Sequence, residues 1–312
     1  MTRLISLSAL LVFLPLTVAT AQETQEGITV VATAVNPDPE KLPTLSVYQD
    51  SAFSQGQTLT MVRAAFPNVP GFVCDSWCYE SPVDFLDAAP LDGGAMQLRH
   101  RLRDNPDVLL VTVVTPEEGA VEFNARVELA TPGQGTLPAN PLVPNLCWQV
   151  RHAPGFASRP DPYPEFVKRC FIFTPQGRTF LDQTTRRLIP CRPPEDEYNN
   201  PPWVQMYVGV WQEIPQATPT SWSDTSPDRY TTPIIGVVSR DGKYLAALGN
   251  GSASLMCQAW HDCLHNNPPW VPADAPVADR RWRLKVYVMD NDPEKLLERV
   301  TKDFPTAKVR GE

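Results

Sequence analysis

The densest gathering of reactive side chains is Cys257-Gln258-Ala259-Trp260-His261-Asp262-Cys263-Leu264-His265, which holds two of the four histidines. Thiols and imidazoles suit soft or borderline metals, so Cys257, His261, Cys263 and His265 form a candidate copper or zinc set. Their spacing matches no standard zinc module. Wound as a helix, the segment puts Cys257, His261 and His265 in one row, with Met256, Trp260 and Leu264 as a neighbouring apolar row. The Cα atoms of Cys257 and Cys263 would then lie about 9 Å apart, too far for a disulfide. Drawn out as a strand, the segment puts His261, Cys263 and His265 on one face. A loop allows a local Cys257–Cys263 disulfide, the ordinary fate of neighbouring cysteines outside the cytoplasm. The same segment also suits proton transfer. His261 or His265 can titrate near neutral pH, with Asp262 or Glu165 as the carboxylate, for acid–base work on a uronic acid or a mutarotase-like reaction.

A second constellation is a local repeat. Asn199-Asn200-Pro201-Pro202-Trp203-Val204 recurs as Asn266-Asn267-Pro268-Pro269-Trp270-Val271, with unrelated flanks. Paired prolines hold the backbone extended and fix the approach of the following indole. The asparagines supply amide donors and acceptors. A sugar ring can lie with its C–H face on Trp203 or Trp270 and its hydroxyls on Asn200 or Asn267, and Trp260 adds a third indole nearby. The competing expectation is that each tryptophan plugs the end of a core. Arginine is the natural partner of a sugar carboxylate, because its planar fork binds both oxygens. That adds Arg151 and His152 from Trp148-Gln149-Val150-Arg151-His152, Arg169 from Tyr163-Pro164-Glu165-Phe166-Val167-Lys168-Arg169, and Tyr230 from Asp228-Arg229-Tyr230 as substrate-binding candidates. Arg99-His100-Arg101 is a further cluster of this kind. The ordinary alternative for all of these is a solvated sheet face or a surface ion pair.

Strands must position these groups. Ile28 to Val35, Val108 to Thr115 and Ala120 to Leu129 are rich in β-branched residues. The last alternates, with Val121, Phe123, Ala125, Val127 and Leu129 against Glu122, Asn124, Arg126 and Glu128. Pro116-Glu117-Glu118-Gly119 joins it to its predecessor as a hairpin, and Ser239-Arg240-Asp241-Gly242 marks a second hairpin. Further strands are expected over Leu146–His152, Val167–Thr174, Val204–Glu213, Pro233–Ser239, Tyr244–Leu248 and Trp282–Met289. One helix is expected after Asp292. Asp292 caps it, Pro293 and Glu294 suit its first turn, Leu296, Leu297, Val300 and Phe304 recur at helical spacing, and Pro305 ends it.

The fold expected is all-β: a large, supersandwich-like sandwich of two antiparallel sheets with a short C-terminal helix. In architecture alone it resembles the large sandwiches of galactose-mutarotase type. The proline-rich stretches Ser158–Pro164 and Pro190–Pro202 read as long loops of one domain, residues 22–312. Ahead of it, Arg3, the apolar run Leu4–Val18 and Ala19-Thr20-Ala21 form the pattern of a cleaved signal peptide over residues 1–21. That run is shorter than the ~20 residues a spanning helix needs, so a secreted or periplasmic product free of the membrane is expected.

Net charge is -8 and the 34 prolines are about twice the usual share. An acidic chain argues against a nucleic-acid partner. Seven cysteines, Cys74, Cys78, Cys147, Cys170, Cys191, Cys257 and Cys263, point to disulfides with at least one thiol left over. No Gly-x-Ser-x-Gly elbow, phosphate loop or His-Glu-x-x-His occurs. The leading expectation is an exported protein that binds or processes an oligo- or polysaccharide, by hydrolysis, elimination or epimerisation. The second is a copper or zinc protein using the Cys257–His265 cluster, and the third a non-catalytic interaction protein of the cell envelope. No cofactor is named by any motif.

Overall fold

Apolar and polar residues alternate along strands such as Ala120–Leu129, which bury one face. A computed structural model describes residues 28–33, 36–54, 57–69, 77–79, 83–131, 144–149, 153, 155–156, 163–186, 204–214, 223–251, 253–259, 263–268 and 276–305. The targeting segment expected over residues 1–21 lies outside them.

The strands, in chain order, are β1 (Ile28–Thr33), β2 (Thr44–Ser54), β3 (Gln57–Ala65), β4 (Trp77–Tyr79), β5 (Val83–Pro90) and β6 (Met96–Leu102). Then come β7 (Val108–Glu117), β8 (Ala120–Leu129), β9 (Pro144–Gln149), β10 (Cys170–Thr174), β11 (Gly177–Phe180) and β12 (Val204–Tyr207). The rest are β13 (Ser223–Thr225), β14 (Thr232–Val238), β15 (Tyr244–Asn250), β16 (Leu255–Ala259), β17 (Cys263–Asn267) and β18 (Arg281–Asp290). Among the described residues there are two α-helices, α1 (Tyr163–Val167) and α2 (Pro293–Asp303).

The protein is an all-β sandwich, but its second layer is divided. A nine-stranded sheet in the order β11-β10-β14-β15-β18-β8-β7-β6-β5 forms one layer. A six-stranded sheet, β13-β12-β16-β17-β9-β4, and a three-stranded sheet, β1-β2-β3, together cover one of its faces. One continuous core joins all three, running from Val47 and Val62 through Leu98, Val114, Phe123 and Val286 to Ile235, Tyr207, Met256 and Leu264. Each large side chain of this set contributes about 1.5–3 kcal/mol through removal from water.

Both expected hairpins form. β7 and β8 pair from Val108↔Leu129 to Glu117↔Ala120, and the chain reverses at Gly119, whose φ of 62° is open to glycine at little cost. β14 and β15 pair around the Asp-Gly turn. The strand expected from Val167 instead begins at Cys170, because Tyr163–Val167 takes a short helical turn first.

The opposite face of the large sheet is capped by α2. Asp292 accepts from the backbone N–H groups of Glu294 and Lys295, and Leu296, Val300 and Phe304 pack on Phe171, Leu245, Ala247 and Tyr287. Replacing Asp292 by alanine leaves those N–H groups uncapped. We expect a loss of about 1 kcal/mol, read as a fall of about 2–4 °C in the thermal midpoint.

A polar knot fastens the helix. Lys285 is 1% exposed, and its Nζ reaches Glu117 Oε2 at 2.7 Å, Asp303 Oδ2 at 3.0 Å and Glu122 Oε2 at 3.5 Å. Tyr287 Oη donates to the same Asp303 carboxylate at 2.9 Å, while Arg283 holds Glu122 at 2.6 Å and lies over the Phe304 ring. Burial and the neighbouring Asp303 push the Tyr287 phenol well above its ordinary range, so it stays protonated and donating.

Candidate functional sites

Within the Cys257–His265 cluster, residues 257–259 and 263–265 lie on two antiparallel strands, β16 and β17, in register at Cys257↔His265 and Gln258↔Leu264. Two-residue periodicity therefore decides its faces. Met256 and Leu264 point into the core, where Gln258 and Asn266 are also fully buried. Asn266 Nδ2 donates to the Pro233 and Leu248 carbonyls of the large sheet, and Arg186 donates to Gln258 Oε1. Cys257, Cys263 and His265 take the other face. Cys263 Sγ lies 3.1 Å from His265 Nε2, as the extended reading required.

The helical row is thus corrected, and so is the local disulfide: Cys257 and Cys263 are both buried thiols, like Cys170. Burial pushes the Cys257 thiol up to about 12, so it is protonated and weakly nucleophilic at neutral pH. Among the described residues, no three His, Cys, Asp or Glu side chains converge as a metal-binding group. Cys74, Cys191, Trp260, His261 and Asp262 lie outside the described residues, as do the side chains of Cys78 and Cys147.

The described residues of the two Asn-Asn-Pro-Pro-Trp-Val copies flank β16. Val204, directly after Trp203, opens β12 and pairs with Ala259 at the far end of β16. Asn267 closes β17 and pairs with Leu255 at the near end. Val204 and Asn267, one from each Asn-Asn-Pro-Pro-Trp-Val copy, therefore lie against opposite ends of β16, about 13 Å apart along it. Asn200, Trp203 and Trp270 themselves lie outside the described residues, with Arg151 and His152. Asn267 is half-buried and anchored through its carbonyl, which accepts from the Ser254 amide at 2.9 Å.

Tyr230 sits in the core and not on a ligand-facing surface. Its hydroxyl donates to the Ala253 carbonyl at 3.0 Å and meets Gln212 at 3.1 Å, and its ring packs edge-on against Trp211. Burial raises its phenol above the ordinary range. His100 is likewise interior. Its Nε2 shares a hydrogen bond with Thr60 Oγ1 at 3.1 Å and its ring meets Phe85 edge-on, while Arg99 pairs with Asp87.

Glu165 and Arg169 do come together. Both line an open pocket of about 230 Å³ with Lys168 and Arg240. Three of these residues come from α1 and the turn that follows it. Arg240 comes from the β14–β15 turn and is held in place by its amide, which donates to the Gly155 carbonyl at 2.9 Å. Arg169 Nη1 donates to the Val238 carbonyl at 2.8 Å, and its guanidinium lies over the Phe166 ring. Lys168 Nζ donates to Glu165 Oε1 at 2.6 Å, which raises the Lys168 ammonium above its usual range. Among the described residues that line it, Lys168 balances Glu165, and Arg169 and Arg240 add two cationic side chains. Arg240 was not singled out as a ligand in the sequence, since it reads there as part of a turn. Glu165 stands on α1 and His265 on β17.

No protein-family model matches the chain, and no curated protein matches it. A solved structure, the Slr1438 protein from Synechocystis sp. PCC 6803, is similar over 85% of this chain and 98% of that one, at 9% identity and a TM-score of 0.43.

Proposed function

We propose that the protein is an exported binder of an acidic carbohydrate, whose carboxylate is held by Arg169 and Arg240 and whose hydroxyls meet Glu165 and Lys168. The observation that carries this reading is the pocket itself: two arginines from separate elements, fixed through backbone contacts, beside a carboxylate already balanced by lysine. Planar guanidinium groups suit a uronate or sialate carboxylate, and Glu165 can accept from ring hydroxyls. The reading is of binding and not of catalysis. It draws on the pocket and not on the indoles that first suggested a sugar.

A glycan array carrying uronate-bearing, sialylated and neutral glycans tests it. Retention of acidic glycans is expected, weakening with added salt. Removing one charge-assisted contact by Arg240→Ala should weaken binding about tenfold or more, measured by calorimetry with the best array ligand. A blank array, equal retention of neutral glycans, or full affinity in Arg240→Ala would sink the proposal.

A further inference from the structure

Arg240 stands at the tip of the turn between β14 and β15, a place where a chain is ordinarily mobile. Here the turn is closed by side chains as well as by backbone. The Ser239 amide donates to the Tyr244 carbonyl at 2.9 Å, and the Gly242 amide donates to the Ser239 carbonyl at 2.9 Å. Ser239 Oγ donates to Asp241 Oδ1 at 2.7 Å and accepts from the Tyr244 amide at 3.0 Å. The same carboxylate oxygen accepts from the Lys243 amide at 3.1 Å. Asp241 therefore ties the residue before Arg240 to the far side of the turn. The Ser239 hydroxyl holds the Asp241 carboxyl below the usual carboxylate range, so this acceptor is charged at neutral pH.

The closed turn is anchored on two sides. The Arg240 amide donates to the Gly155 carbonyl at 2.9 Å. Asn291, between β18 and α2, donates from Nδ2 to the Gly242 carbonyl at 2.9 Å and from its amide to the Lys243 carbonyl at 2.8 Å. Arg178 Nη1 in turn donates to Asn291 Oδ1 at 2.6 Å. Arg169 is set from the same strand end. The Val238 amide donates to the Arg169 carbonyl at 2.9 Å, and Arg169 Nη1 donates back to the Val238 carbonyl at 2.8 Å. A tight turn by itself would account for the inner hydrogen bonds. Two arginines from separate elements, both referenced to residues 238–241, are what a fixed spacing between guanidinium groups requires.

We propose that Asp241 is a positioning residue for this pocket, holding Arg240 in a set place relative to Arg169 before an acidic ligand arrives. The assignment deepens the reading of the pocket as a carboxylate site and rests on it. Ordering an arginine in advance lowers what binding must spend on immobilising it, and so raises affinity without a new contact. Charge alone predicts the opposite sign: removing an anion from beside an anion-binding pocket should tighten binding.

Calorimetry of the full chain with sialyllactose and with trigalacturonate as probes tests the assignment. Asp241→Ala should weaken binding of the better probe about fivefold. Asp241→Asn keeps an accepting oxygen and should restore affinity to within about twofold of the wild type. In an Arg240→Ala background the Asp241→Ala loss should vanish, because the residue acts through that arginine. Ser239→Ala, which removes the hydroxyl that Asp241 grips, should reproduce the loss from the other partner, and it decides if Asp241→Ala fails to fold. Unchanged or tighter binding in Asp241→Ala, no recovery in Asp241→Asn, or a loss that persists without Arg240 would overturn the assignment. If Arg240→Ala still weakens binding in those cases, the pocket reading stands. Neither probe bound by the wild type would overturn both.

Discussion

Lys285→Ala should lower the thermal midpoint by about 6–12 °C. The ammonium is nearly inaccessible and is the shared partner of Glu117, Glu122 and Asp303. Removing it leaves three carboxylates facing one another across a partly closed space, and breaking a buried pair in this one-sided way costs about 3–5 kcal/mol. Those carboxylates keep some contact with water, Glu117 the most, so about 3 kcal/mol is the better expectation. For a domain of this size each kcal/mol moves the midpoint by about 2–4 °C. The companion variant Lys285→Met, made together with Glu117→Gln, Glu122→Gln and Asp303→Asn, removes the charges on both sides and should recover much of the loss. Calorimetric melting of both variants measures it. A melt of Lys285→Ala that overlays the wild type would show that the knot contributes nothing to stability.

His100 should make the fold sensitive to mild acid. Burial lowers its pKa from 6.5 to about 4, against a weaker opposing pull from Asp87. Above the unfolded value both states hold the ring neutral, so it contributes no pH dependence there. Between pH 6.5 and 4 the unfolded chain takes up a proton that the folded chain refuses. Stability therefore falls as pH falls through that window, by at most about 3 kcal/mol. His100→Gln keeps a side chain able to meet Thr60 but cannot be protonated. Urea unfolding of wild type and variant at pH 7, 6, 5 and 4 compares the slopes. The variant should be flatter between pH 6.5 and 4, and identical slopes would refute the account.

What could be read from the sequence was local. The β8 strand declared itself because every second residue is apolar, and α2 because capping aspartate, proline and a helical apolar stripe occur in order. β2 and β3 were missed because Tyr48, Gln49, Asp50 and Thr60 break any simple alternation. β6 was read for its Arg99-His100-Arg101 chemistry and not for its form. Yet Arg99 also belongs to a cross-strand pattern: Asp87–Arg99 ties β5 to β6, and Asp84 pairs with Arg103 just past the end of β6. The division of the second layer into two sheets depends on which distant segments pair, and nothing in a local window encodes it.

The sites follow the same rule. Cys263 and His265 share a face by a period of two, which the sequence shows directly. Cys257 joins them only because β16 pairs with β17. Arg240 meets Arg169 by the same route, through a turn that follows β14 while β14 itself pairs with β10. Spacing in the chain could suggest each half of these contacts but not the meeting of the halves.

β18 runs at the middle of the nine-stranded sheet, between β15 and β8, although it is the last described strand in chain order. A chain emerging from its N-terminus must therefore hold β5–β8 and the later β10, β11, β14 and β15 apart until that piece arrives. Both partial assemblies meanwhile present an unpaired backbone edge, the surface on which strands of separate molecules join. A stop codon placed before Arg281 would not merely shorten this protein. It would leave two incomplete pieces, each open to aggregation along the side that β18 was to close.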